Sequence, residues 1–137
     1  MVVVIFESWP KPSKSQTYLD MAAALMPLVQ GVDGFLSIER FQSLSDDGKL
    51  VALSFWRDET AVTAWRNLAA HRQIQASSRV SVFDRYRLRV AQVTRDYTQN
   101  DRRQAPSDSA ITSRDSNSLE QHPVPILPSS GEGVSND

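Results

Sequence analysis

Phe55-Trp56-Arg57-Asp58-Glu59-Thr60-Ala61-Val62-Thr63-Ala64-Trp65-Arg66-Asn67-Leu68-Ala69-Ala70-His71 decides how this chain is read. Upstream, Val51, Leu53 and Phe55 alternate as in a strand; downstream, Val62, Trp65, Leu68 and Ala69 recur at helical spacing. Asp58 stands at the switch as an N-cap, and Glu59 suits the positive end of the helix dipole. The segment predicts a strand running directly into a helix, with a break near Ala70 and resumption to about Ser78. It holds two of the three tryptophans. Two indoles nine residues apart either pack a core or line a pocket for a flat ligand.

Working outward, Val2 to Ser8 reads as a buried strand rich in β-branched residues, ended by Pro10 and Pro12. Ser13 or Ser15 is the expected cap of a helix running to about Gln30. Tyr18, Met21, Ala22, Leu25, Leu28 and Val29 lie on one stripe, and Pro27 tightens the last turn. Gly31 and Gly34 bracket the exit. Phe35 to Ser43 and Lys49 to Arg57 read as strands joined through Ser45-Asp46-Asp47-Gly48, where Asp-Gly tolerates positive φ. A last strand lies within Val80 to Tyr97, with Tyr86, Leu88 and Val90 on one face and Arg85, Arg87 and Arg89 on the other.

The order is β-α-β-β-α-β, an α+β, ferredoxin-like arrangement. Two helices cover one face of such a sheet. The second face is partly apolar here, which predicts a homodimer with two sheets packed face to face.

All eleven aromatic residues of the 137-residue chain lie at or before Tyr97. Residues 98–137 contain four of the seven prolines and eight serines, and their few apolar residues show no period. The expected organisation is a folded domain over residues 1–97 and a polar tail over 98–137, too poor in apolar surface to offset the entropy of ordering. Residues 1–97 carry 12 Lys/Arg and 10 Asp/Glu, and the tail carries 3 and 6. Neither balance gives the basic face of a nucleic-acid binder. There is no cysteine, hence no disulfide or thiolate chemistry. The apolar start is too short for a signal peptide, and no run approaches a membrane span. A cytoplasmic protein without membrane or nucleic-acid partners is the expectation.

Several features in order resemble the antibiotic biosynthesis monooxygenase family. They are the element sequence, the Gly31-Val32-Asp33-Gly34-Phe35 turn, the Ser54-Phe55-Trp56-Arg57-Asp58 strand end, Ala64-Trp65-Arg66 and the closing Tyr86-Arg87-Leu88-Arg89-Val90 strand. The resemblance covers residues 1–97. It implies a dimeric α+β barrel with a pocket between sheet and helices in each subunit. For catalytic members it also implies oxygenation of electron-rich phenols or polyketide-like compounds with no cofactor and no metal. Such chemistry requires a dry cavity, a base, and a donor for the developing anion.

On that footing His71 and Glu7 are the candidate bases. His71 is the folded part's only side chain with an ordinary pKa near neutrality, and a desolvated Glu7 would rise toward it. The ordinary alternatives are a solvated histidine near a helix end and a carboxylate paired with arginine. Glu39 is placed on a strand neighbouring Glu7. Trp65 is the candidate stacking residue for a small aromatic ligand, against a role closing the helix on the sheet. Asn67, Tyr86 and Arg87 are candidate substrate-binding groups, each with a structural alternative. Trp56 reads as structural, at the strand end or dimer seam, and Trp9 as a rim residue.

A haem-degrading branch uses an Asn on strand one, a Trp on the second helix and a His further along it. Trp65 matches; Glu7 stands in place of the Asn, and His71 comes about one turn before the expected position near Gln75. Two departures count against haem degradation. A non-catalytic binding or stress-related dimer of the same fold is the rival reading. An interaction role for the extended Pro123-Val124-Pro125-Ile126-Leu127-Pro128 patch is the third.

Overall fold

The computed structural model describes residues 1–75 and 82–109, with the side chains of 71–75 and 109 excepted. Two compact units divide the chain at Thr94/Arg95. The first holds β1 (Val2–Pro10), α1 (Ser15–Gln30), β2 (Phe35–Gln42), β3 (Leu50–Trp56), α2 (Glu59–Gln75) and β4 (Phe83–Gln92). The strands form one antiparallel sheet in the order β2-β3-β1-β4, the ferredoxin-like topology.

Strand register fixes which side chains share a face. Val2, Val4, Phe6 and Ser8 pair with Trp56, Ser54, Ala52 and Leu50 of β3. The same four pair with Gln92, Val90, Leu88 and Tyr86 of β4. This set faces the helices. Its densest part is the cluster of Val2, Val29, Trp56 and Ala61, with Val4, Met26, Val32, Phe35, Ile38, Val62 and Trp65 packed around it. The opposite parity, Val3, Ile5, Glu7 and Trp9 with Val51, Leu53 and Phe55, lies on the face that no helix of the unit covers. Arg85, Arg87 and Arg89 project there as well.

Local chemistry departs from expectation at three places. Neither Ser13 nor Ser15 caps α1. Pro12 opens a 3-10 turn over Pro12–Lys14 with Lys14 N–H donating to the Lys11 carbonyl at 2.7 Å, so Ser15 is already inside the helix. Gly48 does not take positive φ; among the described glycines Gly34 alone does, at +91°. The β2–β3 loop is held instead by side chains. The Ser43 hydroxyl accepts from the Ser45 and Asp46 amides, and Asp46 Oδ1 accepts from Gly48. The Gln42 amide donates to the Asp47 and Lys49 carbonyls at 2.8 and 3.1 Å. Thirdly, α2 runs without a break through Ala70 to Gln75. Ala69 and Ala70 are strong helix formers, and nothing there interrupts the ladder. The expected resumption to Ser78 lies outside the described residues.

The second unit begins at Arg95. In its described part Thr98 N–H donates to the Asp101 carbonyl, and the Thr98 hydroxyl accepts from the Asn100 and Asp101 amides. The Arg102 guanidinium lies 5.1 Å from the Tyr97 ring centre. A short 3-10 turn spans Ser107–Ser109. The remainder of the predicted tail, including the 123–128 patch, lies outside the described residues. No helix among the described residues is long and apolar enough to cross a membrane.

Candidate functional site

Asp58 launches α2 as predicted: its Oδ1 accepts from the Ala61 amide at 3.0 Å. About two turns on, the Trp65 ring stacks on Trp56 at 6.4 Å between centres and 26° between planes. Trp56 is 1% exposed, meets Phe35 edge-on at 5.3 Å, and its indole N–H donates to the Ser54 hydroxyl at 2.9 Å. Trp56 is therefore a core residue on the helix side of the sheet, and the indole–indole contact docks α2. Trp65 is half-buried, with one face on that core.

Beside this core the helix side of β4 stays open. Tyr86, Leu88 and Val90 are 65%, 53% and 43% exposed, although they share the helix-facing parity of Ser8, Phe6 and Val4. The Phe6 ring meets Phe83 at 5.6 Å and Tyr86 at 5.7 Å, and Tyr18 closes on Phe83 at 5.4 Å. An apolar floor thus runs along β1 and β4. Its polar atoms include the Tyr86 hydroxyl and the Ser8 Oγ. Ser8 is fully buried, and its Oγ has no hydrogen-bond partner among the described residues.

The sequence-predicted site residues divide between two faces. Trp65 and Tyr86 are on the helix side but at different levels. Trp65 stands over the end marked by the Val2–Trp56 pair, and Tyr86 pairs with Ser8 six residues along β1, roughly 20 Å away at the rise of a strand. Glu7 and Arg87 are cross-strand partners on the opposite, uncovered face. Glu7 pairs with Lys49 at 3.2 Å and with Arg89 at 3.0 Å. The hydrogen bond from Lys49, supported by the positive charges of Lys49, Arg89 and Arg87, holds its carboxyl below the ordinary value against the opposing effect of burial. This is the ion-paired alternative for Glu7. Glu39 is not its neighbour, because β3 lies between β1 and β2. Asn67 is exposed on α2. His71 belongs to α2; its side chain lies outside the described residues. Phe6, Ser8, Leu88 and Val90 went unremarked as site residues. Their alternation was legible in the sequence, but only the register of β1 against β4 joins them into one surface.

A second feature lies on the flank of α1. Leu19, Ala22, Ala23 and Met26 line an open trough of about 500 Å³ that ends at Arg40 of β2. Arg40 Nε donates to the Tyr18 hydroxyl at 3.3 Å.

A family model described as antibiotic biosynthesis monooxygenase matches residues 1–77. A protein of Pyricularia oryzae named jasmonate monooxygenase ABM is 44% identical over 101 residues, which are 74% of this chain and 47% of that protein. The chain thus spans about half the length of that relative. Among solved structures, a Deinococcus radiodurans protein described as a putative antibiotic biosynthesis monooxygenase superposes with TM-score 0.61 at 12% identity, covering 72% of this chain and 97% of that one. The haem degrader MhuD of Mycobacterium tuberculosis, solved with two haems in its active site, gives TM-score 0.58 at 20% identity, covering 72% and 100%. At these identities the structural likeness is one of fold.

Proposed function

We propose a monooxygenase function from one premise: the chain belongs to the antibiotic biosynthesis monooxygenase family. The relative named for jasmonate oxygenation supports that reading at a higher identity than the solved structures carry. The observation that carries the site is the exposed, helix-facing strip of Tyr86, Leu88 and Val90 beside Phe6. Large apolar side chains left open on a covered face are the usual lining of a small-molecule site. In this reading a small ring compound lies flat on the strip under α2. The Tyr86 hydroxyl orients an oxygen of the ligand and His71 takes the proton, while Trp65, farther along the sheet, holds α2 on the core. Arg87 and Glu7 belong to the other face and act, at most, on assembly.

Electron balance separates two substrate classes. An activated ring methylene flanked by phenols loses a proton, passes electrons to O₂ and ends as a carbonyl with release of water. That reaction needs no external reductant. Hydroxylation of an unactivated carbon, as in a jasmonate side chain, needs two further electrons from outside. We take the first as the reading for this chain: a planar phenolic or polyketide-like substrate oxidised without cofactor. Oxygen uptake with an anthrone-type phenol and with jasmonic acid, each with and without NADPH, tests it. Turnover of the phenol alone, abolished in Leu88→Arg and reduced at least tenfold in His71→Ala, is the expected result. Uptake only with jasmonic acid and reductant moves the substrate to the relative's class.

A second reading, a non-catalytic binder of the same fold, is favoured by the ion-paired state of Glu7, which leaves His71 as the sole predicted base. Ligand binding with no oxygen consumed would establish it. Haem degradation is the weaker alternative, since Glu7 occupies the expected strand-one position and faces away from the helices. The reading includes a homodimer formed through the uncovered sheet face.

A further inference from the structure

Most of the described arginines on the first unit's sheet and on the turn before α2 are engaged. Arg57 holds Asp33 and Asp58, Arg89 holds Glu7, and Arg85 lies 4.1 Å from the Trp9 ring centre. Arg40 differs. It is half-buried, its Nε donates to a neutral phenol, and no carboxylate among the described residues pairs with it. Its guanidinium sits 6.0 Å from the Tyr18 ring centre, which fixes the side chain at the mouth of the α1 trough. The rest of the trough wall is hydrocarbon and thioether: Leu19, Ala22, Ala23 and Met26. Leu19 is 46% exposed, so its aliphatic surface is accessible along the trough.

A cation whose two terminal NH2 groups make no hydrogen bond among the described residues, set at one end of an apolar channel, is complementary to a carboxylate on an aliphatic chain. The guanidinium fork donates paired hydrogen bonds to a carboxylate, and the chain lies along the helix. The trough is shallow and open to solvent, so a bound chain would lie along its surface with one side exposed. We propose that the α1 flank is a second ligand site, which binds a medium-chain aliphatic carboxylate with its head group on Arg40 and its tail over Leu19, Ala22, Ala23 and Met26. The site is separate from the β4 strip and does not depend on oxygenation.

Titration of the full chain with decanoate, followed by calorimetry and by methyl NMR, tests this. Saturable binding is expected, with the Ala22, Ala23 and Met26 methyl signals shifting together. Arg40→Gln should weaken binding about tenfold or more, the size of a lost charge-assisted pair. 1-Decanol should bind wild type no better than decanoate binds Arg40→Gln. Ala23→Trp, at an exposed position, should fill the trough and abolish binding. Leu19→Glu, which places a charge in the apolar wall under the tail, should do the same without changing core volume. Oxygen uptake should be unchanged in all three variants. Decanoate that shifts only methyls outside the trough overturns the proposal, as does equal binding by Arg40→Gln. Binding to phosphatidylglycerol vesicles without binding to free decanoate also overturns it, in favour of a lipid surface.

Discussion

A methyl group added at Gly34 would lie 2.8 Å from the Ala61 Cβ and 3.4 Å from the Arg57 Cβ, on a backbone at φ +91°. Clash and left-handed strain act together there. Gly34→Ala is expected to cost about 1–3 kcal/mol, read as a lower denaturant midpoint at unchanged slope. The glycine was legible as a turn residue, but its reason was not, since Ala61 comes from another element. Glu7 teaches the same lesson with opposite outcome. Its sequence position allowed either a desolvated base or an ion pair, and only strand parity places it among Lys49, Arg87 and Arg89. A carboxyl held below its ordinary pKa contributes stability that is fully present above the unfolded value and is lost as pH falls through the folded one. Wild type is therefore expected to lose more stability than Glu7→Gln as pH is lowered from about 5 to about 3. Parallel denaturation curves for the two proteins across that window would remove the ion pairs from the account.

At the scale of elements, the β3–α2 junction was the most readable part. Alternation, cap residue and helical stripe agree at Asp58, and the structure uses all three. Asp58→Ala removes the acceptor of the Ala61 amide and one partner of Arg57. It should lower the melting temperature and loosen the first turn of α2, seen as faster amide exchange at Ala61 and Val62 and little change in β1. The β2–β3 loop was less readable, because its order comes from Gln42 and Ser43 side chains and from Trp9, whose indole N–H donates to Asp46 Oδ2 at 2.9 Å across 37 residues. Such a contact has no local signature. The same holds for the β4 strip: three residues at spacing two are visible in the sequence, whereas their exposure is set by tertiary packing.

For the whole molecule, the face without helices sets how copies could assemble. Val3, Ile5, Val51, Leu53 and Phe55 form its centre, and Phe41 on β2 is 45% exposed. A second copy is the occupant that the homodimer reading supplies, since sheets with one apolar uncovered face commonly pair. Leu53→Arg should convert a dimer to a monomer in sedimentation, with the fold retained by circular dichroism. A wild-type protein that sediments as a monomer at tens of micromolar would remove the dimer from the reading.

The two indoles of Trp56 and Trp65 face each other at 6.4 Å, one on a strand and one on a helix. Chromophores that close exchange excitation, and a coupled pair gives a bisignate dichroic band that neither ring gives alone. The band would vanish whenever α2 lifts from the sheet, even if the helix itself stays wound. The protein thus carries its own optical gauge of helix docking, readable during ligand titration without any label.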